Sequence, residues 1–229
     1  MISVIIPTLN AEATLAPTLA ALVPATVDGV VREVIVSDGG SADRTLEIAD
    51  AAGAEIERGE AGRGRQLARG AQRARFPWLL FLHADTSLET GWQMEAAEFM
   101  NSVEADHRSL SAAAFRFALD DSGIAPRLVE AGVSLRCTLA KLPYGDQGLL
   151  IPARLYNEIG GFRPLPIMED VDLVRRLGRK RLIVLNSRAI TSASRYRRDG
   201  YGRRVARNLT CLALYVLRVP AATISRLYG

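Results

Sequence analysis

Apolar runs and amphipathic stretches alternate along the first hundred residues. "ISVIIP" (2–7) is a compact β-branched run, and helical periodicity follows from Glu12 to Val23. "EVIVSD" (33–38) reads as a second strand, and "DRTLEIADAAG" (43–53) as a helix that stops at Gly53. A short strand over 54–59, a helix over 62–74, a strand over 78–85 and an amphipathic helix over 89–104 complete the alternation. Strands that are apolar throughout are covered on both faces, and strands that alternate with helices pair in parallel. The expected fold class is therefore α/β, with a Rossmann-like, mostly parallel central sheet and helices on both faces.

The second half is less regular. A strand is expected over 111–120 with Phe115 and Phe117 on one face, then a helix over 124–140 and a short strand over 148–151. A short helix after Pro152, a helix over 168–181, a strand over 182–186 and a last helix over 199–219 follow. No internal repeat or low-complexity segment is visible. The expected organisation is one α/β domain over 1–198 and a helical tail over 199–229.

In an open α/β sheet, ligands bind at the carboxyl ends of the parallel strands. Those ends are polar here: Pro7, Thr8 and Asn10; Ser37, Asp38 and Gly39; His83 and Asp85. They are expected to converge on one crevice. On an extended strand, positions two apart point to the same side, so His83 and Asp85 can face one ligand together.

Composition narrows the class further. The chain has 229 residues, 48% hydrophobic and 24% charged, enough for a substantial core without disulfides or a structural metal. Cys137 and Cys211 belong to no CxxC or Cys/His pattern and read as buried apolar residues of a reducing compartment. "MISVIIPTLN" lacks the basic leader of a signal peptide, and no run of about 18 apolar residues exists, so a cytoplasmic location is expected. Residues 1–153 hold 13 basic and 20 acidic side chains, whereas residues 154–229 hold 16 basic and 5 acidic. The basic third is either a solvated surface or one that meets a diphosphate or anionic lipid. No motif supports nucleic-acid binding.

The first βα turn lacks GxGxxG, and the chain lacks GxxxxGK[ST], which disfavours a dinucleotide-binding Rossmann domain and P-loop phosphotransfer. What is present, in order, is "IIPTLNAE" (5–12), "VSDGGSADRT" (36–45), "GRGRQLARG" (62–70), "LFLHADT" (80–86), "GGF" (160–162) and "MEDVDL" (168–173). Over roughly residues 1–190 this ordered set resembles the family 2 glycosyltransferases of the GT-A fold. "PYGDQG", "MEDVDL" and "TSASRYRRDG" further resemble a short bacterial subgroup described as radical-SAM/selenodomain-associated or arsenosugar-type transferases.

That resemblance implies an inverting transfer of a sugar from a nucleotide-diphosphate sugar to an unidentified acceptor, with Mg²⁺ or Mn²⁺. It implies a nucleotide pocket that draws on Pro7, Thr8, Asn10, Glu12, Asp38 and Gly39. Asp38 would contact the base, although an Asx-turn role is the structural alternative. The structural alternative for Asn10 and Glu12 is capping of the helix they precede, and Asp43 reads as an N-cap. Arg63, Arg65 and Arg69 surround a helix N-terminus, where phosphate is attracted. Arg65 and Gln66 are the preferred donor-site residues of that stretch. The family DxD becomes His83–Ala84–Asp85: Asp85 takes the metal-contacting position, and His83 and Ala84 are assigned to the nucleotide site beside it.

By the same resemblance Asp170 is the catalytic base, with Glu169 and Asp172 as alternatives; the structural alternative is an acidic first turn that stabilises its own helix. Tyr144, Asp146 and Gln147 would line the acceptor pocket. One or two of Arg195, Arg197, Arg198, Arg203 and Arg204 would meet the leaving diphosphate. The apolar tail Leu209–Val219 either packs on the domain or a second subunit, or lies on a membrane surface as an interfacial helix. A sugar-phosphate nucleotidyltransferase would share the architecture, but "PTLNAEAT" lacks its glycine-rich basic loop. A protein that only binds a nucleotide sugar would have no need to retain both Asp85 and Asp170.

Overall fold

The computed structural model describes residues 1–106, 110–140 and 142–228. In chain order the elements are β1 (Ile2–Thr8), α1 (Glu12–Ala20), α2 (Val23–Val27), β2 (Val31–Asp38), α3 (Thr45–Ala51), β3 (Glu55–Arg58), α4 (Arg63–Arg73) and β4 (Trp78–Phe81). Then come β5 (Thr86–Leu88), α5 (Trp92–Ala105), β6 (Ala112–Leu119), α6 (Ile124–Ala140), β7 (Leu149–Pro152) and α7 (Ala153–Glu158). The chain ends with α8 (Glu169–Leu177), β8 (Leu182–Thr191), α9 (Ser194–Asp199), α10 (Tyr201–Val216) and α11 (Ala221–Tyr228).

The strands form one sheet in the order β3-β2-β1-β4-β7-β6-β8-β5. β3, β2, β1 and β4 run parallel, β7 runs against β4, β6 runs against β7 and parallel to β8, and β5 runs against β8. Strand alternation sorts β1 between two cores. Ile2, Val4 and Ile6 pack with Leu15, Trp92 and Phe99 on one side; Ile5 packs with Leu67, Leu155 and Leu173 on the other. Both faces are covered, as an apolar parallel strand requires.

β4 and β5 lie four strand spacings apart in the sheet, about 19 Å if it were flat. Only residues 82–85 connect them, a reach of about 18 Å fully extended. These residues form a turn, so the far half of the sheet must curl back over the tips of the first half. That curl creates the crevice.

Several boundaries differ from the sequence expectation. The strand expected over 78–85 stops at Phe81, and His83 and Asp85 sit on the turn, not on an extended strand. The helix expected over 12–23 breaks into α1 and α2. β8 runs on to Thr191, past the polar Asn186 and Ser187. Those residues bulge out of register with β6, and Glu95 accepts hydrogen bonds from both of their backbone N–H groups. The helix expected over 168–181 ends at Leu177, because Gly178 turns the chain at φ 83°. The last helix expected over 199–219 is α10, bounded by Gly200 (φ 84°) and by Arg218 (φ 64°) with Pro220; the short helices α9 before it and α11 after it were not expected.

Candidate active site

The first two strand tips are tied into one wall. Asp38 is buried, and its carboxylate accepts four hydrogen bonds: from the Thr8 and Ser41 hydroxyls at 2.9 and 2.5 Å, and from the Gly40 and Ser41 N–H groups at 2.7 and 2.8 Å. Burial works to raise its pKa, but these bonds outweigh it and hold the carboxyl below its ordinary value. Asn10 accepts from Ala42 N–H, and Glu12 accepts from Arg44 N–H. Neither caps the helix that follows; they clamp one loop to the next. Asp43 likewise accepts from Glu12 N–H as well as from Thr45. Gly39 donates to the Thr8 carbonyl. Gln66, buried on α4, donates from one amide nitrogen to the carbonyls of Thr8 at 2.7 Å and Ser37 at 2.9 Å.

One turn before Gln66, Arg63 enters the crevice. The crevice has a volume of about 260 Å³ and is lined by Arg63, His83, Asp85, Tyr144, Asp146, Glu169 and Asp170, with Thr191, Ser192, Arg195, Arg204 and Asn208 on the far side. Asp85 is fixed through its backbone: Ser192 N–H donates to its carbonyl at 2.9 Å. The next residue, Thr86, pairs with Thr191 hydroxyl to hydroxyl at 2.8 Å, and Thr191 donates to the Asp146 carbonyl at 3.0 Å. Thr18 donates to the Ala84 carbonyl at 3.1 Å. The turn is therefore anchored on both sides.

Glu169 and Asp170 open α8. The residue before them, Met168, is left-handed at φ 64°, a conformation that costs a side-chain-bearing residue about 1–2 kcal/mol. Glu169 is buried, with Arg63 Nη1 3.3 Å from its Oε1. Burial raises its pKa despite the arginine. This pair meets because Gly64 lets α4 approach the chain ahead of α8: a Cβ there would collide with the Arg163 carbonyl. Asp170 is half-buried and accepts from Gly145 N–H at 2.7 Å and from Val171 N–H at 2.7 Å. Gly145 also makes room for His83, whose Nε2 would lie 2.6 Å from an added Cβ.

Desolvation pushes the His83 imidazole down to about 4, with Arg63 and Arg195 adding to the effect and Asp85 and Asp170 opposing it. The ring is neutral at pH 7 and keeps a nitrogen lone pair for a ligand. Burial raises Asp146 to about 6 against the pull of Arg136. Four polar atoms of the crevice lining, Tyr144 Oη, Asp146 Oδ1, Glu169 Oε1 and Asn208 Oδ1, are buried without a hydrogen-bond partner, although Arg63 lies near Glu169. Such groups are uncommon and call for a ligand or solvent partner.

The structure sorts the expected residues. His83, Asp85, Tyr144, Asp146, Glu169 and Asp170 share the crevice. Thr8, Asn10, Glu12, Asp38, Gly39 and Gln66 are hydrogen-bonded into one unit at the first two strand tips, with Pro7 paired to Ser37, but neither they nor Ala84 line this crevice, so of the three polar tips only that of β4 opens into it. Arg65 belongs to neither group: it points outward and pairs with Glu60 at 2.6 Å, and Arg63 takes the place expected of it. Gln147 is not a lining residue. It is buried, donates to the Phe115 carbonyl and accepts from Cys137, so it holds its turn in place. Asp172 is locked to Arg176 at 2.7 Å and Arg163 at 3.3 Å, away from the crevice. Of the five arginines expected near the diphosphate, Arg195 and Arg204 line the crevice. Arg197 pairs with Asp121, and Arg198 with Asp199. The tail is part of the site, because Arg204 and Asn208 of α10 and Ser225 of α11 line it.

Among the described residues, no three His, Cys, Asp or Glu side chains cluster as a self-contained metal site. The donors fit a cation that keeps one or two protein ligands and completes its shell with phosphate and water. Of the crevice residues, Asp85 and neutral His83 are the ones that could supply such donors.

Residues 3–127 match the family described as Glycosyl transferase family 2, more than half of the chain. The chain belongs to glycosyl transferase family 2. The PGL/p-HBAD biosynthesis glycosyltransferases of Mycobacterium bovis and Mycobacterium tuberculosis are 39% identical over 101 residues. That match covers 38% of this family 2 chain and only 36% of each relative. Among solved structures, glucosyl-3-phosphoglycerate synthase from Mycobacterium tuberculosis, in complex with Mn²⁺, UDP and glucosyl-3-phosphoglycerate, superposes with a TM-score of 0.57 at 23% identity. It covers 82% of this chain and 70% of the synthase. TarS residues 1–349 from S. aureus superpose with a TM-score of 0.62 at 18% identity, over 99% of this chain and 68% of TarS. The fold of this family 2 chain is thus the curled, mostly parallel α/β sheet of GT-A glycosyltransferases.

Proposed function

We propose that this chain is an inverting, divalent-cation-dependent glycosyltransferase that moves a sugar from a nucleoside diphosphate to an acceptor hydroxyl. The observation that carries this reading is the placement of Asp85 and Asp170 in one crevice whose wall leaves Tyr144 Oη and Asp146 Oδ1 buried and unpartnered. The base belongs on the wall of Thr8, Asn10, Glu12, Asp38 and Gly39. A ring N–H that reaches Asp38 does so by displacing the Ser41 hydroxyl. Arg63 and Arg195 supply positive charge for the diphosphate.

Asp85, with His83, would hold Mg²⁺ or Mn²⁺, which when bound neutralises charge on the leaving diphosphate. Asp170 accepts the acceptor's hydroxyl proton as the oxygen–anomeric carbon bond forms and the bond to the diphosphate breaks on the opposite face. Gly145 N–H and Val171 N–H hold the Asp170 carboxylate oriented for that step. Tyr144 and Asp146 are assigned to substrate hydroxyls. UDP is bound in the synthase complex named above and in another structure of TarS residues 1–349, so UDP-sugars are the first donors to test. The motifs "PYGDQG" and "TSASRYRRDG" support placement in the short bacterial subgroup that they resemble.

Asp170→Asn is the direct test. Removal of a general base should lower kcat by about 10²–10⁴ and leave nucleotide-sugar affinity within about threefold. Unchanged turnover would remove Asp170 from this role.

A further inference from the structure

α6 is apolar on two sides. Its inner side packs Val129 and Val133 against Phe117 and, from α10, Val205. On its outer side Ile124, Leu128, Ala131 and Leu135 recur at helical spacing, and the three large ones are 80%, 68% and 59% exposed. Arg127 and Glu130 neutralise each other at 2.5 Å, and Arg136 turns inward over the Tyr144 ring, so no unpaired charge interrupts the stripe. α10 repeats the arrangement. Arg204 and Cys211 face inward, whereas Leu209, Ala213, Val216 and Leu217 form an exposed uncharged face three and four residues apart. Leu227 of α11 adds a further large apolar side chain, 61% exposed.

Two neighbouring helices with apolar outer faces make a patch of the kind that marks an interaction surface. Exposed arginines rim it: Arg203 before it, Arg218 at the end of α10 and Arg226 on α11, none of them among the ion pairs of the described residues. Residues 154–229 carry 16 basic and 5 acidic side chains. A two-fold contact with a second copy would set this positive rim against itself. An anionic bilayer complements both parts, since apolar side chains enter the acyl boundary while arginines meet the headgroups. No helix of the described residues is long and apolar enough to cross a membrane.

We infer that the outer faces of α6, α10 and α11 form a platform that docks this protein on an anionic phospholipid surface. The same helices wall the crevice, through Arg204, Asn208 and Ser225, and α6 backs Tyr144 through Arg136. Docking would therefore hold the crevice one helix diameter, about 10 Å, from the headgroups, on the inner side of α10. The platform stands independently of the transferase reading. Its consequence, that the acceptor hydroxyl is carried by a lipid, rests on that reading.

The test is co-sedimentation of the full chain with phosphatidylcholine vesicles that contain 30% phosphatidylglycerol, against pure phosphatidylcholine, with nucleotide-sugar affinity measured in parallel. Wild type should sediment with the anionic vesicles and be released by 0.5 M salt. Leu128→Glu with Leu209→Glu should reduce sedimentation at least tenfold while nucleotide-sugar affinity and Tm stay near wild type. Arg218→Gln with Arg226→Gln, which leaves the apolar face intact, should reduce it several-fold. Wild type that stays in the supernatant overturns the inference, as does sedimentation that is indifferent to both pairs of substitutions. A wild-type dimer converted to monomer by the Leu128→Glu pair would make the face a subunit interface instead. Each outcome is read independently of donor binding, so loss of the platform does not mimic loss of the active site.

Discussion

Asp146 shows how far single residues could be read in advance. Its place in "PYGDQG" suggested a binding residue, and the structure gives the physical cause: a buried carboxylate with one oxygen unpartnered and a pKa pushed up to about 6. A folded pKa above the unfolded 3.8 means the folded state binds the extra proton. This stability contribution is present below pH ~4 and is lost as pH rises through 6. In metal-free protein, Asp146→Asn should therefore gain stability relative to wild type between pH 5 and pH 8, by roughly 1–3 kcal/mol. Thermal melts at the two pH values check this; a constant difference would contradict it. That Asp170 lies in the crevice was legible from its order after the Gly160–Gly161–Phe162 turn. Arg63 was misread in favour of Arg65, although helix phase held the answer. Leu67 and Gly70 mark the buried side of α4, and Arg65 lies opposite Leu67.

Elements were legible where their pattern was strong. β1, β2, α4, α6 and α7 lie within about two residues of expectation. The misses share a cause: the turn at 82–85 and the bulge at Asn186–Ser187 are decided by contacts far away in sequence. Local pattern cannot show that Thr86 pairs with Thr191 or that Glu95 caps the bulge. The close approach of α4 to α8 is of the same kind. Gly64→Ala should force the two apart at a cost of about 1–3 kcal/mol, typical of overpacking. It should also weaken donor binding, because Arg63 and Glu169 move with their helices. Gly132→Ala, with nothing within 4 Å of its added Cβ, should not destabilise. Equal effects from the two would show that the approach of α4 to α8 does not matter.

For the whole molecule, the sequence showed a sheet with polar tips but not its curl, and a tail but not its attachment. Cys211 and Ile224 of the tail pack with Met168 and Val171, directly behind Glu169 and Asp170. Ile224→Ala should therefore cost about 2–4 kcal/mol in denaturant unfolding, while Leu227→Ala should stay within about 0.5 kcal/mol. Comparable small effects would mean that the tail is peripheral. The central claim concerns the crevice as a donor and cation site. It is tested most directly by the Tm of the full chain with UDP-, GDP-, ADP- and dTDP-sugars, each with and without Mn²⁺. At a hundredfold excess over Kd, one donor together with Mn²⁺ should stabilise by about 2.7 kcal/mol. That should appear as a rise of several degrees that Asp85→Asn abolishes; no rise with any nucleotide sugar, with or without metal, would contradict the account.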